Sequence, residues 1–390
     1  MAATQGDGVN RRRVVVAGLG DSGVLTAIHL AAHCEVVGVS VKPGLVSGQE
    51  LGLRISRPDA WARDYRVDFE RFRGLDGVRT VQGALTGLDV GAKHVTIGLP
   101  DGSAVVEAYD ALVISTGVTN GFWRRPTVQS GADIDAELRD AHDTIARARS
   151  VIVVGGGAAA VSCAANIAQR WPRTRVDHHY PGQHALPHHH PRTWRHVRQR
   201  LDDLGVHRHP GHRALVPGGF DCDRITADPV HWTTGQAPSQ ADAVVWAIGR
   251  TRPNTSWLPD EILDDDGFVR VDNELRVPGC PGVFAVGDVA ATDPLRSSAR
   301  NRADRLVAHN VRAHLRGRRT RSYRPKAHRW GSVLGAQPDG LEVFAPTGHA
   351  FRFPAWSIDR VLQPWIVRRG IYHGIREPDD VENRPTPQHR

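Results

Sequence analysis

Three glycines at one spacing occur twice in this chain, and the chemistry they suit is phosphate binding. Gly18, Gly20 and Gly23 lie in VVVAGLGDSGV, a GxGxxG run between an apolar stretch and a helical pattern. The first glycine permits a tight turn. The second lets the backbone approach a pyrophosphate, and the third lets a helix close on a strand. Asp21 and Ser22 lie within the loop, and the N-terminus of the helix that follows faces the phosphates. Residues 151–161, VIVVGGGAAAV, repeat the pattern through Gly155, Gly156, Gly157, Ala158, Ala159 and Ala160. This is the GxGxxA form, in which alanine still permits close packing. One nucleotide needs one such loop, so two loops predict two dinucleotides.

A carboxylate usually closes the ribose site at the end of the second strand of such a unit. Neither unit has one. After the first loop the position falls at about Ser40, followed by Val41 and Lys42; after the second it falls at about Tyr180, with Asp177 three residues earlier. Ser40 still donates and accepts a hydrogen bond, and Lys42 can reach a phosphate. His178, His179 and Arg192 would suit a 2′-phosphate, which tilts the second site toward NADPH and leaves NADH open.

The elements that must position these residues are legible as periodicity. A strand at Val14–Ala17, a helix over Val24–Ala32 and a strand over Glu35–Val41 make one βαβ unit. Val78–Ala108 reads as an antiparallel meander with a hairpin turn at DGS, 101–103. ALVISTG, 111–117, reads as a buried strand ending at Thr116 and Gly117. A helix over Asp133–Arg149 leads into a second βαβ unit: strands Ser150–Val154 and Arg175–Tyr180 around a helix Ala158–Trp171. DAVVWAIGR, 242–250, repeats the DALVISTG pattern and ends at Gly249. GVFAVGDVA, 282–290, is one more buried strand with an acidic turn, followed by a helix Asn301–Leu315 and a basic linker, RGRRTRSYRPK.

At 390 residues, two to three domains are expected. Apolar residues make up 40% and charged residues 24%, an ordinary globular balance. The formal charge of +8 favours anionic partners, although an arginine-rich surface alone would give it. Cys34, Cys163, Cys222 and Cys280 form no CxxC pair and no zinc spacing, so a reducing, cytoplasmic compartment is the default. No signal peptide or transmembrane run is read.

The order GLGDSG, DALVISTG, VIVVGGGAAAV, DAVVWAIGR, GVFAVGDVA resembles the pyridine nucleotide-disulfide oxidoreductase family over residues 12–315. That resemblance implies a two-dinucleotide-binding flavoprotein fold of class α/β, with two Rossmann-like, three-layer ββα domains and a small C-terminal α+β segment. The implied divisions are 1–120 with 250–325 for FAD, 121–249 for NAD(P)H, and 326–390 as a cap or interface. The first loop, with Ser40, Lys42, Thr116, Gly117, Gly287 and Asp288, would hold FAD. The second, with Tyr180 and Gly249, would hold NADPH or NADH. Family members that reduce disulfides carry a cysteine pair just after the second strand. KPGLVSGQELGLRISRP has none, so disulfide reduction is disfavoured. GQELGLR resembles the loop of apoptosis-inducing-factor-like and ferroptosis-suppressor-like oxidoreductases, relatives of type II NADH dehydrogenases, and makes Arg54 a candidate at the flavin.

The resemblance implies an FAD-dependent NAD(P)H oxidoreductase whose flavin carries the chemistry, so no catalytic side chain is assigned. A quinone-like molecule is the expected acceptor. A ferredoxin-like small redox protein is the rival, and a nucleotide-binding interaction protein with little turnover is the rival from another class. Ten histidines fall between His178 and His212. Metal binding is the sharp reading; a solvated basic face is preferred, because prolines 181, 187 and 191 break the helix that would align ligands. The segment Ser357–Arg376 mixes Trp365, Ile366, Val367, Ile371 and Tyr372 with arginines. It is read as a cover or homodimer contact, with peripheral attachment to the inner membrane face as the alternative. Pro364 is expected to break any long helix there. No DNA- or RNA-binding module is recognised, and no nucleic-acid partner is expected.

Overall fold

The computed structural model describes residues 11–48, 50–119, 125–249, 251–292, 303–324 and 330–382. The extreme N-terminus, the start of the helix expected from Asn301, the end of the basic linker and the frayed last residues lie outside the described residues.

Two parallel sheets dominate. In the first the strand order is Val283–Ala285, Ala111–Ile114, Arg13–Ala17, Glu35–Ser40, Val78–Gln82. In the second it is His207–His209, Arg175–His179, Ser150–Val154, Ala243–Trp246. The central strands are unbroken runs of valine and other β-branched residues, the pattern of strands buried on both faces. Val14, Val15 and Val16, like Val151 and Val153, have no exposed surface. Burying each valine side chain contributes about 1.5–3 kcal/mol.

Each sheet carries helices on one face and a β-rich layer on the other. Against the first sheet pack the helices Asp21–Ala31 and Ala303–Leu315. Its other face is covered by the antiparallel strands Ala84–Asp89, His94–Gly98 and Ala104–Ala108. Against the second pack Gly131–Arg147, Ala158–Arg170 and Pro191–Asp203, opposite a layer built on Phe220, Val230 and Trp232. This is the expected three-layer α/β fold.

Three local readings change. Val78–Gln82 joins the first sheet as a parallel edge strand, so the antiparallel meander starts only at Ala84. The first helix starts at Asp21, directly after Gly20, because no residue intervenes between turn and helix. The chain also stays helical through Pro364: Ile358–Ile371 winds as a wide π-type helix. Proline lacks an N–H and costs an α-helix a bond; ion pairs at the surface lie near the ends of this segment. Arg63 meets Asp359, and Arg368 meets Glu377.

The C-terminal segment is tied to the second sheet's helices. It forms a sheet of Ala336–Gln337, Gly340–Phe344 and Ala350–Phe353. Its Val333, Leu334 and Phe344 are buried in the same core as Val161 and Ile167.

Candidate functional site: two equivalent nucleotide cradles

The first cradle begins where the strand Arg13–Ala17 ends. Gly18 leaves it at φ +101, and its N–H donates to the Val39 carbonyl at 3.0 Å. A Cβ at Gly18 would stand 2.5 Å from the Ser115 carbonyl oxygen, so only glycine fits. At Gly23 a Cβ would come within 1.9 Å of the Gly18 oxygen, so that glycine lets helix and turn touch. At Gly20 a Cβ would meet nothing within 4 Å. The space beside the middle glycine is open.

The helix Asp21–Ala31 starts from Gly20 with no side-chain cap. The helix Ala158–Arg170 starts from Gly157, again with none. Gly131–Arg147, by contrast, carries a full capping box from Ser130 and Asp133. Bare N–H groups and the positive end of a helix dipole are an anion site waiting for its acceptor.

The second cradle is hung in the same way. Gly155 donates to the His179 carbonyl at 2.9 Å, as Gly18 does to Val39. Ala247 donates to Val154 at 2.8 Å, as Ser115 does to Ala17 at 2.7 Å. Gly117 and Gly249 both turn with positive φ, +67 and +72. A Cβ at Gly155 would lie 2.1 Å from the Ala247 oxygen, whereas one at Gly157 would meet nothing within 4 Å. Ala160 is fully buried against the turn, the small third residue. Gly156 and Ala158 are half-buried and Ala159 is exposed, on the rim.

Around the first cradle lies a cleft of about 240 Å³ that opens to solvent. Its wall brings together Gly18, Gly20, Asp21, Ser22, Ser40, Lys42, Thr116, Gly117, Gly287 and Asp288. Gly287 turns at φ +81 under Ser22, where a Cβ would be 3.0 Å from the Ser22 hydroxyl. Asp288 follows it into the cleft from the strand Val283–Ala285.

One side of the cleft is cationic. Lys42 donates its backbone N–H to the Ser40 hydroxyl at 3.1 Å, and its ammonium shares the cleft wall with Arg125. Burial pushes the Lys42 ammonium down to about 8; Arg125 adds to this, while Glu137 and Asp133 oppose it.

Arg54 stands behind the cleft and off its lining. It is buried, donates to the Ser47 carbonyl, and lies 4.3 Å over the Trp61 ring. Ser47 in turn donates to the Asp21 carboxylate at 2.9 Å. The reason lies in Leu51–Ser56, a helix pressed on Ala158–Arg170: a Cβ on Gly52 would be 2.4 Å from the Ser162 carbonyl oxygen. The GLR residues therefore join the two halves of the molecule.

Two of the histidines read as phosphate ligands turn inward. His178 is fully buried, and its Nε2–H donates to the Gly155 carbonyl at 2.8 Å, since a carbonyl can only accept. Burial pushes it down to about 4 and pushes His179 down to about 3, so both are neutral props of the glycine loop. Tyr180 is also buried, its ring against His178 and Trp194. Asp177 is desolvated, yet bonds from His209 and Arg175 hold its carboxyl below the usual range. Arg192 meets His349 at 3.1 Å. No group of histidines, cysteines or acids able to hold a metal occurs among the described residues.

Asn254, Trp257 and Arg125, which no spacing in the sequence picks out, also line the cleft. Asn254 accepts from the Thr116 hydroxyl on its backbone oxygen at 2.8 Å and returns a side-chain bond to the Thr116 carbonyl at 3.0 Å. It knots the short ribbon Val118–Thr119 with Arg252–Pro253, where the chain crosses between sheets. The one signal for it was its place just after AIGR, where the chain must return.

Residues 12–314 match the family described as pyridine nucleotide-disulphide oxidoreductase. The chain belongs to this family. Oxidoreductase ptaL of Pestalotiopsis fici is 25% identical over 84% of this chain and 84% of its own. Ferroptosis suppressor protein 1 of Xenopus tropicalis is 25% identical over 81% of this chain and 84% of its own. The ferredoxin reductase for the CYP199A2 system of Rhodopseudomonas palustris shares the fold: TM-score 0.63 at 18% identity, over 87% of this chain and 88% of that one. This pyridine nucleotide-disulphide oxidoreductase buries all four of its cysteines, and none lines the cleft.

Proposed function

We propose that the protein is an FAD-dependent NAD(P)H oxidoreductase that takes hydride from NADPH or NADH and delivers electrons to a quinone-like acceptor. The observation that carries this is the equivalence of the two cradles: the same backbone hydrogen bonds, the same bare helix start, the same open space at the middle glycine. In this reading residues 1–120 with 250–325 hold FAD, 121–249 hold NAD(P)H, and 326–390 cap the molecule. When bound, FAD supplies the two-electron carrier. The chain's part is to position it. The N–H groups after Gly20 would hold its pyrophosphate, Ser40 and Lys42 its ribose end, and Asp288 its ribityl chain. His178, through Gly155, keeps the second loop in shape for NAD(P)H. The buried cysteines, none of them on the cleft, support a reaction other than disulfide reduction.

The acceptor reading is supported by an apolar surface. Among the described residues nine large hydrophobics are exposed, and seven of them fall between Trp330 and Ile366. Trp330, Phe351, Trp356 and Trp365 are each more than half exposed, and Arg369 lies 5.2 Å over the Trp365 ring. A patch of tryptophans beside arginines suits an anionic membrane interface, where a quinone would be met. Among the described residues no helix is long and apolar enough to cross a membrane, and the contact proposed is peripheral. The net charge of +8 supports a second reading, an acidic ferredoxin-like acceptor.

The test is the visible spectrum of the purified protein, then anaerobic addition of NADPH and, separately, NADH. Flavin absorbance that bleaches supports the proposal, and the faster donor identifies the cofactor. Flavin that never bleaches, or protein that cannot be loaded with FAD, overturns it.

A further inference from the structure

We propose that the adenine of the nicotinamide dinucleotide rests on a histidine platform, His209 and His212, at the outer strand end of the second sheet. The proposal depends on the reading of Gly155–Ala160 as the NAD(P)H loop. A dinucleotide in such a unit lies across the carboxyl ends of the strands, its pyrophosphate on the glycine loop and its ribose at the end of the next strand. Here the loop follows Ser150–Val154 and the ribose position follows Arg175–His179. The base then continues outward to the next strand end, His207–His209.

Four aromatic rings converge at that end. His179 stacks between His209, at 4.2 Å and 9°, and Trp232, at 4.5 Å and 17°. His212 stands edge-on to His179 at 4.9 Å, to Trp232 at 5.0 Å and to His209 at 5.8 Å. The inner rings, His179 and Trp232, are buried; His209 and His212 are the partly exposed face of the stack. Backbone bonds stitch this face to the ribose corner: His212 N–H donates to the Tyr180 carbonyl at 3.0 Å, and Gly211 N–H to that of Gly182 at 3.1 Å.

The chemistry fits a purine. Burial keeps the His179 ring neutral, so the stack rests on an uncharged aromatic base. Asp177 fixes the His209 ring through a 2.8 Å bond. The adenosine half needs such a hold because the usual one is missing. Tyr180 faces the core, and residues 178–201 contain no Asp or Glu to accept from a ribose hydroxyl. Every base has a π-face, and stacking on an aromatic side chain holds it without a carboxylate.

The probe is 5′-AMP, titrated calorimetrically into the FAD-loaded full-length protein, so that the first cradle is blocked. The proteins are wild type, His212→Ala and His212→Phe. His212→Ala is expected to weaken 5′-AMP by roughly 5- to 150-fold, the range for losing one base–aromatic stack. His212→Phe keeps binding close to wild type, and FAD content and Tm do not change in either. An alanine variant that binds as wild type does, or a phenylalanine variant as weak as alanine, overturns the platform. If NADPH or NADH still bleaches the wild-type flavin, that failure is confined to the platform. If the wild type takes up neither 5′-AMP nor NAD(P)H, the NAD(P)H reading falls with it.

Discussion

The three glycines of the first loop are constrained for different reasons, and substitution should separate them. A methyl group at Gly23 would press on the Gly18 carbonyl from 1.9 Å, a backbone atom that cannot swing away. Gly23→Ala is expected to lower Tm whether or not FAD is present. A methyl at Gly20 meets no protein atom, and that residue has an ordinary φ of −74. Gly20→Ala should therefore leave the melting of FAD-free protein unchanged and weaken FAD binding, measured by flavin fluorescence. Lys42 carries a pH prediction. Its folded value, about 8, lies below its ordinary 10.5, so the fold penalises the charged form. The penalty is fully present below about pH 8 and is relieved as pH rises toward 10.5. Thermal melts of FAD-free protein should show Lys42→Met more stable than wild type at pH 7, with the difference closing across that window. A constant difference would mean that Lys42 is not desolvated.

At the scale of elements, helix Ala158–Arg170 has two jobs. Its bare N-terminus serves the second cradle, and its body anchors the C-terminal segment. Asn166, which in the sequence only interrupts an apolar run, is buried and donates to the Leu334 carbonyl at 2.9 Å. Its own oxygen accepts from Gln337 at 3.3 Å. Asn166→Leu would remove both bonds from this buried network, at about 0.5–1.5 kcal/mol each, while Gln337 still donates to the Leu334 carbonyl at 2.9 Å. Limited proteolysis should then cut within 330–353 faster than in wild type, while flavin content holds. Equal cutting rates would show that apolar packing of Val333, Leu334 and Phe344 alone holds the segment. The alanines and serine of the same helix also admit Gly52. This close approach draws Arg54 to Ser47 and Trp61, off the cleft wall.

For the whole molecule, the exposed tryptophans and the net positive charge lead to one solution measurement. The protein should co-sediment with vesicles containing anionic lipid, less so as salt rises, and less again in a Trp356→Ala, Trp365→Ala double variant. Binding that is unaffected by the double variant would assign the patch to another role. The fold class and the order of cradles were legible in the residues alone, because backbone constraints write themselves locally. A turn that passes through positive φ needs glycine at a fixed spacing, and a doubly buried strand needs an unbroken apolar run. The family follows from the order of those local signals. Which side chains face the ligand was not legible. His178 and His179 read as cations for a phosphate, yet strand alternation and the layer over Trp232 bury them as neutral rings. Arg54, a candidate at the flavin, is buried against Ser47 and Trp61 and off the cleft lining. Asn254 and Arg125 reach the cleft from far along the chain. The sequence by itself determined the local geometry of two glycine turns. Only the tertiary structure decided what surrounds them, because desolvation and charge pairing depend on neighbours that no local spacing records.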